Sequence, residues 1–417
     1  MYKISLNGLD GSGKTTQYKL LKDRFPYGYF SNDIGYYNIF PNLRGDDFFK
    51  WWFLDSKLEE FCDTIYRGIK YRDDEAIKKE QQLIINDKGV FTFDCRILAN
   101  FLMRGYNNLD IYNQINMSKK KYGINSENLS LFLNIDDTTK LNERLRQRND
   151  SKINSYDDYY HNYQIVLNDV TKKMIKKSNI QIINAVDDIN NVFNKIIDSI
   201  INKNQKFIFI SGVSESGKST ASEYLTHLLP NSVHVKMRDI LNEMYLSSGS
   251  NLEKHLWMKE QEKNDSYRFW YDFILLTSSS HYDNEFIVLD TLYGIDAIKS
   301  IYRILKNNVN LIYIEASYHN RVYREYMKLK ENRSITIDEV ADMVEKKDRN
   351  KQKFGLLNLK KLSIYNNELV IDDNSSYTPF TYIVNNDGNV GDFKNQLSEI
   401  SDDIKSKEVK VKCIKRT

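Results

Sequence analysis

Three cysteines in 417 residues are too few and too scattered for a disulfide framework. Cys62, Cys95 and Cys413 show no C-x-x-C spacing, so a zinc ligand pattern is excluded and a reducing compartment fits. Charge of one sign is also lacking. Sixty basic residues against 57 acidic ones leave +3, so no whole-molecule field draws the chain to nucleic acid. No run of 18 apolar residues occurs, and no apolar leader-like segment precedes the first strand-like run. These absences set the expectation of a soluble cytoplasmic protein. The length exceeds one ordinary core and suggests two domains of about 200 residues each.

What is present is a short stretch that occurs twice. Gly8-Leu-Asp-Gly11-Ser12-Gly13-Lys14-Thr15 follows the apolar run 2–6, and Gly212-Val-Ser-Glu-Ser216-Gly217-Lys218-Ser219 follows the run 207–210. Both match G-x-x-x-x-G-K-[ST], a loop whose backbone N–H groups cradle phosphates. Lys14 and Lys218 are expected on the outer phosphates. Thr15 and Ser219 are expected to hold Mg²⁺, with Thr16 and Thr220 continuing each phosphate-binding turn. The implied ligand is ATP·Mg²⁺ at each loop.

The pattern predicts helices over 16–25, 48–69 and 73–85, then a strand over 90–93 ending in Asp94. An acid at the carboxyl end of a parallel strand is placed for metal or acceptor. Trp51, Trp52, Phe53 and Phe61 are expected in the core. A strand over 131–135 is followed by Arg144, Arg146 and Arg148, which read as a lid closing on phosphates through bidentate guanidinium contacts. A helix over 156–177, a strand over 180–184 and a helix over 192–201 complete the half. Alternating strands and helices after a phosphate loop predict an α/β fold: two tandem P-loop domains, each a parallel sheet with helices on both faces.

Gly8–Gln17 resembles the P-loop of thymidylate kinases, and the likeness runs through most of residues 1–203. The resemblance implies nucleoside monophosphate kinase activity in nucleotide biosynthesis, with the acceptor bound by Asp10, Arg72, Arg96 and Arg104. It also implies catalytic roles for Lys14, Asp94, Arg144 and Arg148, and a homodimer contact through residues 48–69. Three departures bear on the acceptor. Ser31-Asn-Asp-Ile-Gly35 stands where the family has Arg-Glu-Pro-Gly-Gly, the family's Asp-Arg-Tyr reads Asp94-Cys95-Arg96, and Arg104 replaces a base-reading glutamine.

After a short polar linker, residues 204–400 resemble the dephospho-coenzyme A kinase and adenylate kinase group. The likeness implies that Lys218, Asp290 and Arg333 are catalytic, that Arg238 and Asp239 face the acceptor, and that Arg349 meets phosphates. Strands are predicted over 207–210, 233–235, 286–289, 310–314 and 382–384. The loop Asn385-Asn386-Asp387-Gly388 has the make-up of one that wraps an adenine. Residues 401–417 read as a basic tail, frayed or in contact with nucleic acid. The expected function is ATP-dependent phosphoryl transfer to a nucleoside monophosphate, dTMP or a modified deoxynucleotide. Two alternatives stand beside it: a kinase with another acceptor and one active domain, and a nucleotide-binding switch or scaffold without transfer.

Overall fold

Phe207, Ile208, Phe209 and Ile210 expose no surface at all. A strand apolar on both sides needs helices over both faces of its sheet, as a parallel sheet provides. The computed structural model describes residues 1–135, 157–201, 204–292, 294–352, 362–365, 368–371 and 381–414. Arg144 and Arg148 lie outside them. The chain divides into two units, Met1–Ile201 and Asn202–Thr417.

In the first unit, β1 (Tyr2–Gly8) leads through the phosphate loop into α1 (Lys14–Arg24). Then come β2 (Tyr29–Phe30), α2 (Gly45–Lys50), α3 (Leu58–Lys78), β3 (Leu83–Asn86), α4 (Val90–Met103) and α5 (Asn108–Tyr122). β4 (Leu129–Asn134), α6 (Asp157–Ile175), β5 (Gln181–Asn184) and α7 (Ile189–Ile200) follow. The sheet order is β2-β3-β1-β4-β5, all parallel. An aromatic core holds Trp51, Phe53, Phe61, Phe91, Phe93, Phe101 and Tyr163, while Trp52 packs against its edge. Each fully buried large apolar side chain contributes about 1.5–3 kcal/mol.

Two local readings are corrected. Residues 90–93 begin helix α4, and the strand lies earlier, at Leu83–Asn86. Four apolar residues have no decisive period, and Asn7 Oδ1 fixes the helix start by accepting from Gly89 N and the Thr92 hydroxyl. The aromatic segment 48–69 is two helices separated by a π turn at Trp51–Asp55, where Asn100 Nδ2 donates to the Trp52 carbonyl at 2.6 Å. Trp51, Phe53 and Phe61 of this segment are buried, and Phe48, Phe49 and Trp52 pack against them partly exposed.

In the second unit, β6 (Lys206–Gly212), α8 (Lys218–Leu228), β7 (Ser232–Lys236), α9 (Met237–Ser248) and α10 (Lys254–Ser280) come first. Next are β8 (Phe286–Leu292), α11 (Ile295–Leu305), β9 (Val309–Glu315), α12 (Tyr318–Lys330) and α13 (Ile337–Gln352). An antiparallel hairpin, β10 (Leu362–Tyr365) and β11 (Glu368–Ile371), precedes β12 (Tyr382–Asn385) and α14 (Val390–Ile414). The main sheet runs β12-β9-β6-β8-β7, all parallel, which repeats the strand order of the first unit. Residues 401–414 of the expected tail continue α14, with Ser401 and Ile404 buried. Among the described residues, no helix is long and apolar enough to cross a membrane.

Candidate active sites

Ligands on parallel sheets of this kind gather at the carboxyl ends of the central strands. Both phosphate loops leave the central strand of their sheet there. At Gly8, φ is +149°, and a Cβ would lie 2.5 Å from Ser12 Oγ and 2.8 Å from the Leu133 carbonyl oxygen. Only glycine fits that turn.

In the first unit, Lys14 is buried and donates to the Gly8 and Leu9 carbonyls at 2.9 and 2.8 Å. Burial lowers its pKa to about 8 against the attraction of Asp10. Ser12 Oγ is buried with no hydrogen-bond partner, an orphan that a bound phosphate oxygen would satisfy. Thr15 and Thr16 are exposed on the first turn of α1. Asp10 accepts from Arg96 at 2.8 Å, from the Tyr160 hydroxyl at 2.9 Å and from Gln164 Nε2 at 3.5 Å. Burial raises its pKa, but Arg96 and Lys14 outweigh it and hold the carboxyl down to about 2.

Three groups at this edge escaped the sequence reading. Asp87 follows β3 directly, and its Oδ1 is buried without a hydrogen-bond partner. Burial pushes its pKa up, while Lys88 and Lys14 pull it down. Lys88 Nζ donates to Asp33 at 2.7 Å, and Asp33 also accepts from Gly35 N. The turn sequence Asn86-Asp87-Lys88-Gly89 was the available signal.

Other expected residues stand elsewhere. Asp94 lies inside α4, buried, accepting from the Tyr66 hydroxyl at 2.6 Å and pairing with Lys119. Burial raises its pKa despite Lys119. Asp94 is a core ion-pair member, so its assigned place at a strand end is corrected to Asp87. Arg72 is buried and donates to the Lys88 carbonyl, which supports the loop after β3. Arg104 donates to the Ser56 carbonyl, and its guanidinium lies 4.3 Å over the Phe101 ring.

The second unit is more open. A cavity of about 680 Å³ is lined by the loop from Ser214 to Thr220 and by Arg324, Glu325, Lys328 and Lys347. Ser214 Oγ, Ser216 Oγ and Arg324 Nη1 are buried with no hydrogen-bond partner. Lys218 donates to the Val213 carbonyl at 2.6 Å, and Ser219 is exposed. Gly217 has φ +101°, and a Cβ there would lie 2.4 Å from Asn386 Nδ2. Asn386 therefore braces the phosphate loop, donating to the Ser216 carbonyl at 2.8 Å.

Helices α12 and α13 clamp this loop. Arg321 donates to the Ser214 carbonyl and to Asp348, and Ser214 N donates to Asp348. Lys347 bridges Glu215 at 2.8 Å and Glu325 at 3.0 Å. Burial lowers the Lys347 pKa, but bonds to Glu215 and Glu325 outweigh it and leave it raised. The sequence reading placed Arg333 and Arg349 on the phosphates. Arg333 instead contacts Met343 Sδ, and Arg349 pairs with Glu345; neither lines the cavity. Arg333 lies in the turn between α12 and α13, while Arg324, Lys328 and Lys347 line the cavity from those helices.

A second cavity, about 670 Å³, is lined by Arg238, Lys254, Met237, Met258, Trp270 and Asp290, among others. Asp239 pairs with Arg238 at 3.2 Å. Asp290 sits near the end of β8, 3.3 Å from His234 Nε2. Burial raises its pKa, yet the His234 contact leaves it lowered. Among the described residues, no group of three or more His, Cys, Asp or Glu side chains is placed to hold a metal. The hydroxyls of Thr15 and Ser219, at the first turn of each loop helix, suit a cation that phosphate oxygens would also bind.

No protein-family model matches the chain. No curated protein matches it. Among solved structures, deoxyadenosine kinase from M. mycoides with the products dCMP and a flexible dCDP bound is similar at 16% identity, covering 47% of this chain and 97% of that one, with a TM-score of 0.37. The same kinase with bound dATP gives 16% identity, the same coverage and a TM-score of 0.35. With bound dCTP it gives 14% identity and 0.33. Likenesses of this size identify no family.

Proposed function

We propose that the chain carries two P-loop kinase domains, 1–203 and 204–400, that move a phosphoryl group from ATP·Mg²⁺ to a nucleotide acceptor. One observation carries the reading. In the second unit a phosphate-loop cavity and a separate cavity with cations, methionines and a tryptophan share Ser219 and Thr291. One chamber suits a triphosphate, and the other suits a nucleoside monophosphate whose base packs on Trp270 and whose phosphate meets Arg238 or Lys254.

Phosphoryl transfer needs positioning and charge neutralisation more than covalent help. Lys218 would turn from the Val213 carbonyl to the outer phosphates. Backbone N–H groups of the loop would hold the inner ones, and Arg324, Lys328 and Lys347 would cover the chain of phosphates and keep water out. Ser219 would hold Mg²⁺, which neutralises phosphate charge when bound.

A specific observation favours a different acceptor for the first unit. Asp87 presents an unpartnered carboxylate oxygen beside Lys14, with Asp33 nearby through Lys88. A hydroxyl acceptor has a proton to lose and gains from such a base, whereas a phosphate acceptor does not. A nucleoside hydroxyl is the acceptor this edge suits.

The full-length chain with K14M and K218M, singly and together, tests the reading. Labelled ATP with nucleosides and monophosphates, modified deoxynucleotides included, should show monophosphate transfer lost with K218M and nucleoside transfer lost with K14M. Full transfer by the double variant would overturn the proposal. ATP binding without transfer to any acceptor would favour a switch.

A further inference from the structure

Strand β8 does not pair evenly with β6. Phe209 faces Leu289 and Ser211 faces Leu292, so Ile210 alone stands opposite both Asp290 and Thr291. One residue against two is a β-bulge, a device that re-aims side chains and gathers beside active sites. Ser211 Oγ donates to the Leu292 carbonyl at 2.6 Å and closes the bulge.

The bulge puts Thr291 at φ +71°. Among the described residues, Asn38, Glu80, Glu215, Asn231 and Lys306 are the other non-glycine residues with positive φ, and none is β-branched. A β-branched residue crowds most in that region. Glycine would remove the strain, yet the position holds a threonine. Such strain persists where the surrounding structure over-determines it, and it clusters where it serves function.

Its location gives the strain a use. Thr291 and Ser219 are the two residues that line both cavities. Ser219 starts the loop helix and suits a cation. Thr291 stands at the joint with its hydroxyl 3.3 Å from Asp290 Oδ1. That bond is long for O–H···O, whose usual range ends near about 3.0 Å, so the hydroxyl can turn without giving up a strong partner.

We propose that Thr291 is a catalytic residue of the second site, its hydroxyl held at the joint by the bulge to meet the phosphoryl group in transit. This rests on the reading of the second unit as a transfer site. In the step, the bond from the γ-phosphorus to the β–γ bridging oxygen breaks, and a bond from that phosphorus to an acceptor phosphate oxygen forms. The bridging electron pair leaves with the nucleoside diphosphate. Thr291 Oγ1 donates a hydrogen bond to an equatorial oxygen of the moving group and keeps its proton. Because that contact belongs to the group in flight, it lowers the barrier more than it tightens either substrate.

The test uses the full chain carrying K14M, so that transfer comes from the second site alone. T291V removes the hydroxyl and keeps the shape, T291G removes hydroxyl and strain together, and T291S keeps the hydroxyl. Loss of one hydrogen bond to a charged group predicts kcat for monophosphate phosphorylation about 10- to 100-fold lower in T291V and T291G, with KM for both substrates within about twofold. T291S should restore kcat to within about threefold of the parent. T291G should unfold at a temperature no lower than the parent, which separates lost chemistry from lost folding. Unchanged kcat in T291V and T291G, with K218M inactive, would overturn the role of Thr291 and leave the kinase reading standing. A K14M chain that binds ATP but phosphorylates no monophosphate would overturn both.

Discussion

The two phosphate loops leave the same strand of the same five-strand order, yet they meet different surroundings. In the first unit, Asp10 within the loop is tied down by Arg96, Tyr160 and Gln164, and Lys14 is buried over its own loop carbonyls. In the second, Ser214 stands where the first has Asp10, the next residue, Glu215, pairs with Lys347, and a cavity of about 680 Å³ lies open beside the loop. The shared strand order sets where each loop lies. Residues from distant helices set what else is bound, which is why one fold hosts many chemistries.

The sharpest way to break this comparison is to neutralise one carboxylate in each half. Asp290 lines the 670 Å³ cavity of the second unit, and Asp94 lies in the core of the first. D290N should lower monophosphate phosphorylation by about 100-fold, the scale of losing one placed electrostatic group, with little change in thermal midpoint. D94N should leave nucleoside phosphorylation within about twofold while destabilising the first unit by about 3 kcal/mol, because Lys119 loses its buried partner. Steady-state assays with thermal unfolding of both variants decide it. Equal loss of transfer in both would return Asp94 to the site.

The next effect is on Asp10. Its carboxyl is held at about 2, below its ordinary value of 3.8, so it supplies stability above the unfolded value. That contribution is complete at neutral pH and fades as pH falls below the ordinary value and through about 2, and it amounts to roughly 2 kcal/mol. D10N should therefore flatten the acid limb of the first unit's denaturation curve, measured by urea unfolding at stepped pH. An unchanged acid limb would show that Arg96 holds Asp10 no more tightly than water does.

The smallest effect concerns Glu215. Lys347 is divided between Glu215 and Glu325, and phosphates would compete for it. E215Q should tighten binding of a non-hydrolysable ATP analogue in the K14M background by up to about fivefold, since partly exposed pairs are worth at most about 1 kcal/mol. Calorimetry at two salt concentrations checks it, with the gain shrinking at high salt. Weaker binding in E215Q would mean that the carboxylate holds the loop in its binding shape.

Sequence made the two α/β units and both phosphate loops legible because a P-loop is local, with glycine geometry and a lysine at fixed spacing. It misread 83–94 because Leu83–Asn86 is short and follows a charged helix, while Val90–Phe93 is apolar without a period. It found that arginines and lysines cluster after Glu315 but not which of them face inward, since Lys347 and Arg349 are two residues apart and point to different partners. The Asp33–Lys88 pair and the Arg321–Asp348 clamp join residues 55 and 27 positions apart, which no local pattern reveals.

Asn386 has one more consequence, for the order in which a growing chain is made. It stands 170 residues after the Ser216 carbonyl that it holds, with its Nδ2 2.4 Å from where a side chain on Gly217 would begin. During synthesis the second phosphate loop is therefore translated early and finished late. Until β12 and the turn behind it have left the ribosome, that loop lacks its brace.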